Sequence, residues 1–407
     1  MITKSKIKIL YICLAIILTI FFYGFLKNED LSSGGAHFDF NLTWPVVIDF
    51  SNLNFLSSHE YTRHFPLHYF VLSFVYNIFG NQDSVRIFYL FFSLLLPLFV
   101  YLNLSILYRL PNINLLVLSF SITLLPFFRS SAIWPNAHLT ALIFLTISNF
   151  FYLKFCSSKK ISNIYFNLLF LAFAVYSMQS YLVFYIYYLI KYFKEKKNIF
   201  KYIIPICFVS SLPGFLILFY FERSTDLNFS KNFFYSLATQ FSIMSLFLSI
   251  FFFNKESFLI FKNIFFKFKK FEFILIFIFF IFIVFGFENA YSTGGGFFYK
   301  TSIFLFNNEI FFLITFLIGL IMTVVILKND KNFFLLLMFV NFTSLNWVVY
   351  QKYFEPIMVV IILCFLKNFL TFNIARSIKN IYIFIILLFG YYSVALTNTF
   401  FKFSTQF

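Results

Sequence analysis

The chain has 407 residues, 61% of them hydrophobic and only 11% charged, and no long polar segment interrupts the apolar runs that recur from end to end. A bilayer core takes about 20 apolar residues per helix, so a soluble domain is excluded and the expected fold is all-α: a polytopic membrane protein forming one integral-membrane domain over 1–407. The net charge of +16 comes from short basic clusters between the runs, which is the pattern of the positive-inside rule and not of a nucleic-acid surface.

Two features of composition are read before any motif. The 74 Phe accompany enriched Ile, Asn and Lys and only 11 Gly, the bias of AT-rich coding. Phe then serves as lipid-facing filler, and aromatic stripes carry little functional information. The four cysteines (Cys13, Cys156, Cys207, Cys364) are isolated in or beside apolar runs. No CxxC or Cys/His spacing is present, so neither a disulfide framework nor a zinc site is expected.

In chain order, a basic leader with Lys4, Lys6 and Lys8 precedes a first span at 9–26. No small-x-small site follows closely, so an uncleaved anchor is preferred over a cleaved signal peptide. The stretch 27–83 is the longest outside the apolar runs and holds four of the five His, together with Asp39, Asp49 and Glu60. Within it, 65–79 is apolar but too short to span comfortably, and is expected to lie in the interface or re-enter. The further spans expected are 85–108, 113–128, 133–155, 164–178, 181–193, 202–221, 233–253, 273–287, 310–327, 333–350, 357–370 and 381–397. With the first, that makes about 13 transmembrane helices.

Charge tests the count. The first Lys residues set the N-terminus inside, and nine cations then fall outside (Lys27, Arg63, Arg86, Arg129, Arg223, Lys231, Lys300, Lys352, Lys402) against 22 inside, of 31 in all. Reading 164–193 as one long helix would move the 255–270 lysine cluster outside, against the rule. Of the 15 acids, 11 fall outside. The polar work is therefore expected on the external face, with 27–83 external and short interfacial helices inside that loop.

Three constellations could carry chemistry. Asp39, in GGAHFDFNLTW, follows the first span closely, with His37 two residues before it; a carboxylate in a partly dry site can act as a general base. The rival reading is a solvated loop acid. In HEYTRHFPLHYF (59–70), Glu60, His64 and His68 stand at helical i,i+4 spacing beside Arg63, a face that could meet an anionic head group. No HExxH is present and Pro66 interrupts the helix, so a divalent metal is unsupported and no cofactor is expected. Arg129, Lys300 and Lys352 are external cations against the charge bias. Phosphate binding is one reason for them; snorkelling, or pairing with a nearby Glu, is the other.

Taken together, these stretches resemble the GT-C glycosyltransferases, polytopic enzymes that use polyprenyl-phosphate sugars, such as protein O-mannosyltransferases and lipid A aminoarabinose transferases. The acid-bearing HFDFN matches the place of the family's catalytic Asp. HFPLHYFVLSFVYNIFGNQDSVRIF is similar to the family's "HPPLYY…FG…S…R" stretch through His64, Pro66, Leu67, Tyr69, Gly80, Ser84 and Arg86. FFRSSAIWPNAH resembles the stretch where an Arg precedes a span, and QKYFEP resembles the late "RY..P" element with Lys352 in place of Arg. Asp39 is followed by Phe40 and not by Glu, which leaves the second acid to Glu60 or to none.

The resemblance implies a membrane glycosyltransferase that moves a sugar from a polyprenyl-phosphate donor to a glycan, lipid or protein acceptor. Asp39 would be the general base and Glu60 the second acid, with His37, Arg63, His64, Arg129, Lys300 and Lys352 contacting substrate. Membrane lipids are its other partners and no nucleic acid is expected. The expected location is a bacterial inner membrane, with the N-terminus cytoplasmic and the active site external. The alternatives are a polymerase or flippase of lipid-linked glycans, and a multi-span transporter, which would need ionisable groups within its spans.

Overall fold

The computed structural model describes residues 4–32, 35–54, 65–195, 199–220, 233–287, 296–334, 337–338 and 350–400. Among them the chain is helical and no strand occurs. Six helices are long and apolar enough to cross a membrane: Ile7–Leu26, Gln82–Leu107, Ala137–Ser158, Phe233–Phe252, Ile310–Asn329 and Ile378–Thr397. Two bent pairs raise the number to eight if each is one span. Several runs expected to span form helices of 17 residues or fewer, among them Ile161–Ser177 and Lys270–Phe285. The run expected at 333–350 falls mostly outside the described residues.

The chain divides into two compact units, residues 1–225 with 395–401, and residues 226–394 with 402–407. In the first unit, α1 (Lys4–Leu26) leads into α2 (Gly35–Ser51). After 55–64, which lie outside the described residues, α3 (Leu67–Phe79) starts beyond Pro66. It stops at Gly80, whose φ of 72° and amide bond to the Tyr76 carbonyl make a left-handed cap that a side chain would strain. Asn81 then caps α4 (Gln82–Ser93) by accepting from the Ser84 amide, and α5 (Leu95–Leu107) continues the span.

The run expected to span at 113–128 is bent by 73° between Asn112–Leu124, which opens with α6 (Asn112–Phe120), and α7 (Pro126–Ile133). Pro126 has no amide hydrogen to continue the helix and forces the preceding residue out of helical geometry. Leu125 is accordingly extended, at ψ 122°. Asn136 accepts from the His138 amide and starts α8 (Ala137–Ser158). The stretch 164–193 is broken at Met178, extended at φ −153°, into α9 (Ile161–Ser177) and α10 (Val183–Glu195); α11 (Phe200–Tyr220) follows.

Polar side chains stitch these helices together. Asn167 on α9 gives its amide to the Ser148 carbonyl of α8 (2.8 Å), Ser148 returns its hydroxyl to the Asn167 carbonyl (2.8 Å), and Tyr192 of α10 donates to Asn167 Oδ1 (2.9 Å). A second ladder runs from Tyr188 to Asn149 Oδ1 (3.1 Å), and from Asn149 to Asn103 Oδ1 of α5 (3.0 Å). In apolar surroundings such bonds hold helices together and fix their register, at about 0.6 kcal/mol each on average.

The second unit is built on α12 (Phe233–Phe252) against α16 (Ile310–Asn329). They meet backbone to backbone at Gly319: a Cβ there would overlap the Phe241 carbonyl oxygen. Ser242 and Thr315 share a hydroxyl hydrogen bond of 2.7 Å across the same seam. Around the pair lie α13 (Lys255–Phe265), α14 (Lys270–Phe285) and α15 (Gly296–Phe306). The last part contains a bent pair, Gln351–Phe365 with Phe369–Ala375 at 82°, and the helix Ile378–Phe400. Asn368 makes the bend tolerable. It caps Thr371 N (2.9 Å) and gives its amide to the Ile362 and Leu366 carbonyls, while the Thr371 hydroxyl also serves Ile362 (3.0 Å), so the carbonyls released by the break stay satisfied.

Gly319→Ala is expected to destabilise the protein by about 1–3 kcal/mol through overpacking, seen as a lower thermal midpoint in detergent by size-exclusion chromatography. Ile318→Ala, at an exposed neighbour, should leave the midpoint where it is. Equal midpoints for Gly319→Ala and the parent would contradict the close crossing.

Candidate functional site

One group of polar residues in the first unit gathers where α1 ends. Leu26 closes the helix, Asn28 turns left-handed at φ 50°, and the chain crosses to α2 through Glu29 and Asp30. The two adjacent acids take different tasks. Glu29 receives Arg129 of α7, with Nε to Oε1 at 2.6 Å and Nη2 to Oε2 at 3.0 Å. The same guanidinium gives Nη2 to the Ile20 carbonyl (2.9 Å). Arg129 is 0% exposed and the Glu29 side chain 9%. Gly24 is required beside them, because a Cβ there would strike Arg129 Nη2.

Asp30 starts α2. One of its oxygens accepts from the Ala36 (3.0 Å) and His37 (2.8 Å) amides and the other from Ser32 N (2.8 Å) and the Ser32 hydroxyl. A carboxylate in this position satisfies the orphan amides of a helix start and meets its positive end. Leu31 N donates to Ser130 Oγ (2.8 Å), the residue after Arg129. Arg86 of α4 gives Nη2 to Asn28 Oδ1 (2.6 Å), Nη1 to Asp83 (3.1 Å) and Nε to the Ile133 carbonyl (3.3 Å), and lies 3.8 Å from the Trp134 ring centre. Trp134 is also 4.2 Å from the ring of His37. The turn is thus gripped by two arginines from two other elements.

On the first two turns of α2 the structure puts His37, exposed, and Asp39, half-buried. His37 Nε2 meets Asn41 Nδ2 at 2.9 Å. The amide can only donate there, so Nε2 accepts and the ring proton of neutral His37 is on Nδ1. Below this end, a chain of hydrogen bonds enters the protein. His68 Nδ1 meets Thr140 Oγ1 (2.8 Å), Thr140 meets the Tyr89 hydroxyl (2.8 Å), and Tyr89 donates to the Asn136 carbonyl (2.7 Å). Because the Tyr89 proton goes to Asn136, Thr140 donates to Tyr89 and His68 donates from Nδ1. His68, named in the sequence for its spacing with His64, is therefore tied into the α3–α8 packing.

Of the residues expected at the site, His37, Asp39 and Arg129 belong to this unit, and Glu60, Arg63 and His64 lie outside the described residues. Arg129 is a buried partner of Glu29, the pairing that the sequence offered as the alternative to phosphate binding. Lys300, exposed on α15, and Lys352 belong to the second unit. Lys352 is mostly buried, its Nζ 5.4 and 5.1 Å from the ring centres of Tyr350 and Tyr353.

No protein-family model, no curated protein and no solved structure matches the chain. The site is therefore argued from its own geometry. Among the described residues, no group of three or more His, Cys, Asp and Glu is placed to hold a metal ion.

Three buried or clamped acids escaped the sequence reading. Glu29 and Asp30 lay within the highlighted stretch, but their partners are about 100 residues off or on the next helix, and the only sequence signal was an acid pair directly after an apolar run. Glu355 was noted only as a neighbour of Lys352. It is 0% exposed, and its Oε2 accepts from Tyr391 (2.6 Å) and Gln351 (3.1 Å), while Gln351 Oε1 accepts from Phe297 N (2.7 Å).

Glu29→Gln and Arg129→Met are each expected to destabilise by about 3–5 kcal/mol, since each strands a buried charge, and the double variant should recover most of the loss. Thermal midpoints of the purified variants measure this. Strictly additive losses would mean that the pair is not coupled.

Proposed function

We propose that the protein is a membrane glycosyltransferase that transfers a sugar from a polyprenyl-phosphate donor to a glycan, lipid or protein acceptor, with Asp39 as general base. The observation that carries this reading is the rigid mounting of α2. A general base must be held still and remain reachable. Asp39 sits half-buried on a helix whose start is fixed by Asp30 and whose leading turn is clamped by Arg129 and Arg86.

In this reading the acceptor hydroxyl gives its proton to Asp39 as its oxygen attacks the anomeric carbon. The bond to the polyprenyl phosphate breaks, and the phosphate departs with the electron pair. One base and one displacement invert the anomeric centre. His37, two residues before Asp39 on α2, contacts the acceptor. Arg63 and His64, in the same external stretch, contact the departing phosphate. Arg129 acts through Glu29, as a positioning residue for the turn. The proposal includes about 13 crossings, an external 27–83 carrying interfacial helices, a cytoplasmic N-terminus, and residence in a bacterial inner membrane.

A second reading has an observation of its own. Helices broken within the membrane, with satisfied carbonyls and a buried acid, line ion and substrate pathways in transporters. The pair bent at 366–368 carries Lys352 and the buried Glu355.

Asp39→Asn keeps size and hydrogen bonding but removes the base, and should lower transfer from a polyprenyl-phosphate sugar by about 10²- to 10⁴-fold. Glu60→Gln should be milder. The measurement is transfer of radiolabelled sugar by the purified, reconstituted protein. Full transfer by Asp39→Asn with loss in Glu60→Gln would move the base to Glu60. Solute flux in proteoliposomes that depends on Glu355 and not on Asp39, without transfer, would establish the transporter instead.

A further inference from the structure

The second unit has a surface that the glycosyl-transfer reading does not use. α12 ends at Phe252, and Asn254 accepts from Ser257 N (2.9 Å) to begin α13, an 11-residue helix, before the chain turns into the apolar α14. Along 255–270 stand five exposed lysines: Lys255, Lys262, Lys267, Lys269 and Lys270. The two acids in this region are already matched. Glu256 pairs with Arg376, and Glu272 receives Lys328 Nζ at 2.7 Å and caps the Lys269 amide at 2.7 Å. The surface therefore has a clear excess of positive charge.

Apolar side chains stand among these lysines. Phe258 is 54% exposed and Phe266 73%. Lys262 lies over the Phe266 ring at 5.9 Å. A patch of aromatic rings and lysines is unfavourable in bulk water and unfavourable in hydrocarbon. It fits the headgroup layer, where the rings enter the acyl boundary and the ammonium groups meet phosphate. The patch lies at the ends of two helices of spanning length. The patch directly follows a helix of spanning length, and Lys328, in the last turn of Ile310–Asn329, reaches the Lys267 carbonyl (3.4 Å).

We propose that this lysine–phenylalanine surface, α13 with the start of α14, is a binding site for anionic phospholipid headgroups. Charge complementarity selects the occupant. Zwitterionic lipid offers no net charge to five lysines, whereas each basic residue near an anionic surface gains roughly 1 kcal/mol, about a fivefold preference. The site recruits anionic lipid to the leaflet that this end of the unit meets.

The test uses the full-length protein with its four cysteines changed to Ala, Asn263→Cys on α13, and a bimane label on that cysteine. It is reconstituted in phosphatidylcholine containing either brominated phosphatidylglycerol or brominated phosphatidylcholine, which quench the label on contact. The expected result is at least about threefold stronger quenching per brominated lipid by phosphatidylglycerol. That preference should fall at high salt and vanish when the five lysines are changed to Gln. Lys262→Gln/Lys267→Gln/Lys269→Gln, a milder variant, should reduce it if the fivefold change does not fold. Equal quenching by the two lipids, or a preference that survives the lysine substitutions in folded protein, overturns the proposal.

Discussion

The first unit depends on one buried ion pair. Glu29 and Arg129 lie 100 residues apart, and their junction closes the end of α1 onto α7. Taking two charges out of water costs several kcal/mol per ion, so the pair is tolerated only with excellent geometry and extra bonds. Both conditions are met: the guanidinium meets both carboxylate oxygens and also serves the Ile20 carbonyl. The arrangement secures position more than stability. A hydrophobic pair could fill the same space, but it would not fix the turn's orientation to within a hydrogen bond. Gly24 shows the same constraint from the other side, since the ion pair occupies the volume a side chain would need.

From that junction the order propagates outward by hydrogen bonds. Asp30, next to Glu29, starts α2, and Ser130, next to Arg129, receives the Leu31 amide. The two anchors therefore bracket the ion pair on both strands of the contact. Arg86 adds a third hold through Asn28 and presses on Trp134, which in turn meets His37. Asp39 lies one turn into a helix that has little freedom to move at its start. This is how a sequence poor in polar residues can still present a fixed carboxylate.

Much of the helical content was legible, because apolar runs bounded by Pro, Asn and Lys are local signals. The spans at 9–26, 133–155, 233–253, 310–327 and 381–397 match helices within a few residues. Other runs carry bends set by equally local features that hydropathy does not register. Pro126 bends what hydropathy reads as one span, and Asn368 stabilises a break inside another. Hydropathy measures transfer from water and carries no term for a missing amide hydrogen. The site was legible only in part. That 27–83 holds the acids is a property of composition, but which acid meets which arginine is set by contacts between elements far apart in the chain. The reading of Phe as filler says nothing of tyrosine, and the hydroxyl groups of Tyr89, Tyr188, Tyr192 and Tyr391 end in specific hydrogen bonds.

The two units solve the same problem of polarity in an apolar protein by different means. In the first, the charges of Glu29 and Arg129 are paired and buried, and the helices are joined by Asn and Tyr ladders. In the second, α12 and α16 approach closely at Gly319 with the Ser242–Thr315 hydrogen bond across the seam, and polar groups concentrate around Gln351, Glu355 and Tyr391. Gln351 is the pivot of that cluster: its amide serves Tyr391 (2.6 Å) and Glu355, and its carbonyl holds the start of α15 at Phe297. Gly296, at φ 69°, lets the chain enter α15 at that point, and a Cβ there would lie 3.1 Å from Gln351 Oε1. The buried Glu355 accepts from two neutral donors, the Gln351 amide and the Tyr391 hydroxyl. Removing either donor would leave part of the acid's desolvation cost uncompensated.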